Sequence, residues 1–365
     1  MNENKQGPVG PKSPSWFRRH KKLVIILSIV LAIVIGGGAA SAYYFFFKPQ
    51  PEPQASVAEP EPEPEPEPII YYSPLTGAIV ADEATSKRPV TGMMIENSPN
   101  ARPQSGLKNS GIVYEAIAEG GITRFLVLYQ EQQPELIGPV RSLRLYDLDW
   151  LRPYDAGIGH VGGSARALSE VRNGTYRDLD QFFNSQYYWR ATDRYAPHNV
   201  YTSFENINEL NTAKGYTVSD VDELDRKDSE AAEVPTATSI NVTISSALYN
   251  SAYAYNTKTN TYDRSQGGAP HVDREDGQIS PRVVVIMSVE EVTVLEDGYR
   301  QKITTTGSGP VTIFQDGLAI EGTWHKDSQA GQLYFKDAEG KRISLARGQT
   351  WFTAIPNDKG SVSWQ

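Results

Sequence analysis

The longest apolar stretch of the chain lies near its N-terminus. Leu23 to Phe47 is a run of 25 residues without a charged side chain, which is long enough to cross a hydrocarbon core of roughly 30 Å as a helix. The last five residues of the run, Tyr43 to Phe47, are all aromatic, and aromatic rings concentrate at membrane interfaces. The pattern predicts a single transmembrane helix over residues 23–47.

A cleaved signal peptide is the alternative to this anchor. Its apolar region would be shorter, about 7–15 residues, and small residues would follow it as a cleavage site. The segment GGGAASA at residues 36–42 fits such a site. We favour the uncleaved anchor because the apolar run continues beyond this segment into the aromatic residues.

Basic residues on the N-terminal side set the predicted orientation of this helix. Lys48 is the one basic residue that closely follows the helix, whereas the residues that precede it include Lys12, Arg18, Arg19, Lys21 and Lys22. Loops rich in Lys and Arg stay on the cytoplasmic side of a membrane. We therefore predict a cytoplasmic basic tail over residues 1–22 and a single-pass plasma-membrane protein whose folded domains are extracellular.

Glutamate and proline alternate in the segment that follows the helix, as in EPEPEPEPEP at residues 59–68. Proline removes backbone donors and favours an extended polyproline conformation, while the like charges repel one another. We predict a stalk over residues 48–70 that holds the folded part of the chain away from the membrane.

Residues 71–216 combine strand and helix patterns, which predicts a mixed α/β domain. Apolar residues alternate or run continuously at strand length over residues 90–96, 112–118, 122–129 and 156–161. Gly120-Gly121 has the chemistry of a hairpin turn. The predicted helices begin after the capping residues Ser142, Ser164 and Ser203, and they end before Pro153, at Arg172 and at about Lys214.

Acidic residues accumulate over residues 217–239 while apolar residues become sparse, which predicts an interdomain linker. From residue 240 to residue 365 the pattern changes to short strands separated by turns such as Asp297-Gly298 and Asp316-Gly317. This region is predicted to be a mostly β domain. The predicted fold class of the whole chain is α+β.

Composition excludes several kinds of chemistry. The chain has no cysteine, which removes disulfides, thiol catalysis and cysteine-bound metals. Its five histidines are scattered without the spacing of metal ligands, so we predict neither a metal nor a cofactor. The first 68 residues hold seven of the 35 Lys/Arg and seven of the 44 Asp/Glu, which leaves 28 against 37 in the remainder. This acidic balance argues against a nucleic-acid partner.

Arginine dominates the basic residues of one segment. Residues 137–200 contain eight arginines and no lysine, and the guanidinium fork suits fixed contacts to carboxylate or phosphate groups. We select Arg141, Arg144, Arg190 and Arg194 as candidate ligands of an anion. The alternative is structural, because seven acidic residues in the same segment are available to pair with these arginines.

A turn within the same segment adds further candidates. Gly162, Gly163 and Ser164 lie between a predicted strand and a predicted helix, where free backbone N–H groups favour an anion. His160 and His198 are candidate general acid or base groups. A helix cap and hydrogen-bonded structural histidines are the alternatives, and the sequence leaves these open.

Short motifs follow one another in a single order along residues 73–326. The motifs are SPLTG (73–77), RPV (88–90), IEN (95–97), ARPQSGL (101–107), EGGITRF (119–125), IGPVRSLR (137–144), HVGGSARAL (160–168), RYAPHNVYTS (194–203), GGAPHVD (267–273), GSG (307–309) and GTWHK (322–326). Through these motifs the chain resembles the YerB-like family of bacterial envelope proteins, a family without an established activity.

The resemblance implies a two-part α/β fold and an extracytoplasmic location. Family members commonly carry a lipid-modified cysteine, whereas this chain has no cysteine and a transmembrane helix in its place. The quoted motifs overlap the candidate residues Arg141, Arg144, His160, Ser164, Arg194 and His198. We therefore expect these residues to line one pocket.

Two functions are consistent with these observations. The favoured hypothesis is a membrane-anchored envelope protein without catalytic activity, whose arginine-rich pocket binds an anionic wall component or a partner ectodomain. The alternative is a hydrolase or transferase that acts on an anionic, phosphate-containing envelope glycopolymer, with His160 or His198 transferring a proton.

Overall fold

The computed structural model describes Trp16 and residues 20–49, 68–294 and 300–365. Most of the predicted basic tail (residues 1–22) and most of the predicted stalk (residues 48–70) therefore lie outside the described residues, as does the predicted turn at Asp297-Gly298. The N-terminal apolar stretch is a helix, α1 (Lys21–Ala42), which continues as a π-helical turn at Tyr43–Phe47. It is long and apolar enough to cross a membrane, a property that signal sequences share.

Residues 68–365 form one compact unit. Its N-terminal region mixes strands and helices, as the sequence predicts. The helices are α2 (Glu83–Ser86), α3 (Leu145–Leu151), α4 (Ala165–Val171) and α5 (Phe204–Ala213). The strands are β1 (Tyr71–Tyr72), β2 (Ile79–Val80), β3 (Thr91–Glu96), β4 (Ile112–Glu119), β5 (Ile122–Tyr129), β6 (Gly157–Gly159), β7 (Arg177–Asp178), β8 (Trp189–Arg190) and β9 (Val200–Tyr201).

The C-terminal region consists mostly of strands, and none of its described residues is helical. This confirms the mostly β character predicted for it. The strands are β10 (Arg226–Lys227), β11 (Ser239–Thr243), β12 (Ser251–Asn256), β13 (Thr261–Gln266), β14 (Ala269–Pro270), β15 (Val272–Asp273), β16 (Gly277–Gln278), β17 (Val283–Val289), β18 (Glu291–Val294), β19 (Arg300–Ile303), β20 (Gly307–Gln315), β21 (Leu318–Lys326), β22 (Tyr334–Lys336), β23 (Leu345–Ala346), β24 (Thr350–Pro356) and β25 (Ser361–Trp364).

Local sequence signals explain where several elements begin and end. Ser203 caps α5 by accepting a hydrogen bond from the Asn206 backbone N–H at 3.2 Å. Gly120 and Gly121 have φ angles of 55° and 79°, and these positive values suit the tight turn between β4 and β5. The predicted cap at Ser142 is wrong, because α3 begins two residues later, with Arg144 at its N-cap position.

One sheet joins the two regions. Within the described residues it has twelve strands, in the order β22-β21-β20-β17-β24-β4-β5-β3-β6-β7, with β18 and β19 attached through β4. Strand β24, near the C-terminus, lies parallel between β17 and β4, so that Phe352 is opposite both Val285 and Tyr114. Both predicted domains therefore contribute neighbouring strands to this sheet, and the boundaries at residues 217 and 240 stay predictions.

Apolar side chains cover both faces of this sheet. On one face Tyr114 stacks between Trp150 of α3 and Phe352 of β24, with ring centroids 5.3 and 4.6 Å away. On the other face α5 packs through Phe204 and Ile207, which belong to a second buried cluster. A smaller sheet, β14-β13-β12-β11-β25, packs against the C-terminal strands of the main sheet.

Candidate functional site

The predicted site residues do not share one cavity. Two of them, Arg194 and His198, line a cleft of about 560 Å³ where the two regions meet, which we call the junction cleft. Arg144 and Ser164 line a separate cavity of about 140 Å³. The lining of the junction cleft is Asn100, Arg102, Pro103, Asp193, Arg194, Tyr195, His198 and Arg274.

A buried carboxylate holds the His198 ring at the wall of the junction cleft. Nδ1 of His198 lies 2.9 Å from Oε1 of Glu96, the last residue of β3, whose side chain is 5% exposed. The Ser98 hydroxyl donates to the same Glu96 oxygen at 2.9 Å. Because Glu96 occupies Nδ1, the second ring nitrogen, Nε2, is left for a ligand, and among the described residues nothing hydrogen-bonds to it. Such a carboxylate fixes the orientation of an imidazole.

Two arginines of the junction cleft carry charge that no carboxylate neutralises directly. Arg194 donates to the backbone oxygens of Asn100 and Pro103, at 3.3 and 2.5 Å. Arg102 donates to Asn97 and to the backbone oxygen of Leu248. Within the described residues neither guanidinium forms an ion pair. Carbonyl oxygens therefore fix the two side chains in place, and no described carboxylate lies within ion-pair distance of either guanidinium.

A second cleft of about 390 Å³ adjoins the first and shares Asp193 and Arg274 with it. Arg274 donates to the Asp193 carboxylate at 2.5 Å, and this hydrogen bond lowers the pKa of Asp193. Arg190 lines the second cleft and donates to the Asn199 side chain at 2.8 Å. We call the two clefts together the groove.

Arg141 and Arg144 are three residues apart but contact different carboxylates. Nε of Arg141 lies 3.3 Å from Glu96, the carboxylate that also contacts His198. Arg144 donates to Glu119 through Nε at 3.0 Å and also through Nη2. Arg124 and Arg300 approach the same Glu119 carboxylate at 3.0 and 3.5 Å. Burial acts to raise the pKa of Glu119, but Arg124 and Arg144 outweigh it and hold this pKa at about 2.

His160 is fully buried and lines none of the three cavities described above. Its Nδ1 is 2.8 Å from the Gly162 backbone oxygen, and its Nε2 is 3.1 Å from Asp178. Both ring nitrogens therefore have partners inside the protein. The geometry is that of a hydrogen-bonded structural histidine, one of the two alternatives that the sequence leaves open.

Internal hydrogen bonds occupy the turn at residues 162–164. The Gly162 N–H donates to Asp180 at 3.2 Å, and the Ser164 N–H donates to the Leu143 backbone oxygen at 3.1 Å. The Ser164 hydroxyl accepts from the Ala167 N–H and caps α4. A Cβ on Gly163 would lie 3.0 Å from the Leu143 oxygen, so glycine there permits close packing. An anion-binding role for this turn stays a prediction.

Comparison with known protein families places the chain among related sequences. A model described as the N-terminal domain of a protein of unknown function, DUF3048, matches residues 75–217, and the corresponding C-terminal domain matches residues 240–352. The chain belongs to the DUF3048 family. The name of this family states no activity.

Curated and solved relatives extend the match to most of the chain. The chain is 34% identical over 299 residues to a Bacillus subtilis (strain 168) protein named "Putative lipoprotein YerB". The alignment covers 80% of this chain and 88% of that protein. The crystal structure of the YerB protein from Bacillus subtilis aligns with a TM-score of 0.72 and 29% identity, over 80% of this chain and 99% of that chain. The YerB-like resemblance of the motifs is thereby confirmed.

The junction cleft combines residues from both DUF3048 domains, and the sequence alone did not predict that these residues would meet. Three functional candidates were not predicted from the sequence: Glu96, Arg102 and Arg274. Arg102 lies within the motif ARPQSGL, and Arg274 directly follows GGAPHVD. A search for every arginine in or beside a family motif would have found both.

In the described ranges of the chain no three His, Asp or Glu side chains are grouped as metal ligands.

Proposed function

We propose that this protein is a single-pass protein of the bacterial plasma membrane whose extracellular unit binds an anionic component of the cell envelope in the junction cleft. The apolar helix α1 supplies the anchor, and the basic residues that precede it favour a cytoplasmic N-terminus. A member of the same family named as a lipoprotein supports an envelope location. Because this chain has no cysteine, the helix takes the place of a lipid attached to cysteine.

The observation that carries the proposal is the excess of positive charge in the junction cleft. Three arginines, Arg102, Arg194 and Arg274, line it together with one carboxylate, Asp193. The whole chain carries a net charge of −9, so an excess of positive charge at one concave surface is unusual for it. A cleft walled by protein concentrates such a field and attracts anions.

The test measures binding of the full-length chain, reconstituted in nanodiscs, to purified cell-wall sacculi by co-sedimentation. Removing one positive charge in Arg194→Gln or Arg274→Gln is expected to weaken retention at least tenfold. Higher salt is expected to weaken it further, because salt screens exposed charges. Arg194→Lys keeps the charge but loses the guanidinium fork, so intermediate retention is expected.

Arg342→Gln is the matched control, since it removes an exposed arginine outside the groove. Equal retention by wild type and both cleft variants would contradict the proposal. Retention on a partner ectodomain in place of sacculi, lost in the same variants, would identify a protein as the ligand of the cleft.

A second candidate function follows from the Glu96 and His198 pair. A histidine that lines a cleft, is held through Nδ1 by a carboxylate and has no hydrogen bond to Nε2 among the described residues has the arrangement of a general acid or base. This favours a hydrolase or transferase acting on an anionic envelope glycopolymer as the alternative function. Release of soluble fragments from sacculi by the wild type, and loss of that release in His198→Gln, would establish it.

A further inference from the structure

Exposed aromatic rings concentrate in one short segment of the chain, which also contributes residues to the groove. Of the described residues from 68 onward, five aromatic side chains are classed as exposed, and four of them lie within residues 182–195. Tyr195 is 92% exposed and Trp189 is 39% exposed. Exposed aromatic rings grouped in this way are characteristic of recognition surfaces.

Two of these rings belong to the groove itself. Tyr195 lines the junction cleft, and Trp189 lines the adjoining cleft. The two clefts share Arg274 and Asp193, so each cleft contains one of the rings and is bordered by the same ion pair. In the described part of the chain neither ring contacts another aromatic ring or a cation. Tyr195 is almost fully exposed, and Trp189 is partly exposed.

Charged groups lie between and around the two rings. Four arginines line the groove (Arg102, Arg190, Arg194 and Arg274), and its lining carboxylates are Asp193 and Glu275. Four arginines against two carboxylates give the groove an excess of two positive charges, and two aromatic rings also line it. Aromatic faces pack against the flat apolar faces of sugar rings, whereas guanidinium groups bind carboxylates or phosphates.

The size of the groove fits an extended ligand. Its two clefts measure about 560 and 390 Å³, and each alone lies within the range of roughly 300–1,000 Å³ usual for small-molecule sites. Both clefts are open at the surface and share one border. This shape suits several successive units of a polymeric ligand better than a single compact molecule.

We propose that the groove binds an acidic polysaccharide, with Trp189 and Tyr195 stacking on its sugar rings and the arginines binding its anionic groups. This inference rests on the proposed anion binding and adds the class of ligand. An acidic peptide would use the same arginines, but it would not explain why two exposed aromatic rings line the groove.

The test compares three polymers binding to the full-length chain in nanodiscs, measured by isothermal titration calorimetry. Polygalacturonate carries rings and charge, polyglutamate carries charge without rings, and dextran carries rings without charge. Polygalacturonate is expected to bind at least tenfold more tightly than polyglutamate of equal charge, and dextran is expected to bind weakly or not at all.

Variants separate stacking from charge. Tyr195→Ala and Trp189→Ala are each expected to weaken polygalacturonate binding about fivefold to tenfold and to weaken polyglutamate binding much less. Tyr195 is almost fully exposed, so its removal leaves the fold intact even if Trp189→Ala disturbs β8. Tyr72→Ala, which removes an exposed aromatic ring outside the groove, is the control and is expected to change neither affinity.

The outcomes distinguish this inference from the function on which it rests. If polyglutamate binds as tightly as polygalacturonate and the aromatic variants change nothing, the polysaccharide inference is overturned while anion binding in the cleft stands. If neither anionic polymer binds the wild type, both proposals fail.

Discussion

Glu115 and Arg264 form an ion pair that is completely shielded from solvent. Nη2 of Arg264 lies 2.7 Å from Oε2 of Glu115, and both side chains are 0% exposed. The residues are 149 positions apart and belong to β4 and β13, so the pair connects the N-terminal and C-terminal regions. Trp351 donates to the same Glu115 oxygen at 3.3 Å, and Arg264 also contacts His271.

Breaking this pair from one side is expected to be strongly destabilising. Glu115→Ala leaves the buried Arg264 charge without its partner, which should lower the free energy of unfolding by about 3–5 kcal/mol. Urea denaturation monitored by tryptophan fluorescence measures the change. The double variant Glu115→Leu with Arg264→Met removes both charges and should be less destabilised than the single variant.

The control for this experiment is Glu83→Gln. Glu83 pairs with Lys87 on the surface, where the side chains are 57% and 64% exposed, and such pairs contribute at most about 1 kcal/mol. A loss of similar size in Glu83→Gln and Glu115→Ala would show that the buried pair has no special role.

Glu291 is expected to make the stability of the protein depend on pH. Burial raises the pKa of Glu291 to about 7, and within the described residues neither carboxylate oxygen has a hydrogen-bond partner. A raised pKa means that the folded state retains a proton that the unfolded state releases. The contribution of Glu291 to stability is therefore fully present below about pH 4.5 and is lost as pH rises through about 7.

Glu291→Gln removes this titration. The variant should be more stable than wild type at pH 8, by on the order of 2 kcal/mol, and the difference should shrink as pH falls towards 4.5. Denaturation curves collected between pH 4 and pH 8 measure it. A constant difference across this range would show that Glu291 does not titrate there.

Glu119 is expected to have the opposite pH dependence. Its pKa is held at about 2, so its stabilising effect is present above about pH 4.5 and is lost as pH falls towards 2. Glu119→Gln leaves Arg124, Arg144 and Arg300 close together without their shared carboxylate. We expect a loss of about 1–3 kcal/mol at pH 7.

Denaturation of this variant at pH 7 and pH 3 provides the check, because the wild type should lose part of its advantage at the lower pH. Glu339→Gln, an exposed carboxylate in a turn, is the control. A wild-type advantage that grows on acidification would contradict the assignment.

Arginine introduced into α1 is expected to prevent stable membrane anchoring. Val30→Arg and Ile33→Arg each place a charge near the middle of the predicted span, at a cost of about 2.5–3.5 kcal/mol per residue. The fraction of chain that resists alkaline extraction from membranes should fall sharply in the double variant, whereas Val30→Leu should behave as wild type.

The mass of the mature wild-type chain completes this test. A chain that retains residues 1–47 in the membrane fraction agrees with an uncleaved anchor. A chain shortened after the GGGAASA segment would show that α1 is a signal peptide.

Local patterns in the sequence were sufficient for much of the fold. The apolar run at residues 23–47, the alternation over residues 122–129 and the cap at Ser203 each predict an element that the structure contains. Such signals depend on neighbouring residues only, because periodicity, turn chemistry and capping act over a few positions. They therefore also revealed the change from mixed α/β structure to mostly β structure.

The site depended on contacts between residues that are distant in the sequence. Arg141 and Arg144 are near neighbours, yet the first pairs with Glu96 and the second with Glu119. The arginine-rich segment by itself determined that fixed guanidinium groups would be available. Only the tertiary structure decided which of them keep their charge free, because that depends on which carboxylates the sheet and the loops place beside each guanidinium. Arg274 reaches the junction cleft in the same way, through the packing of the C-terminal region against residues 96–103 and 193–198.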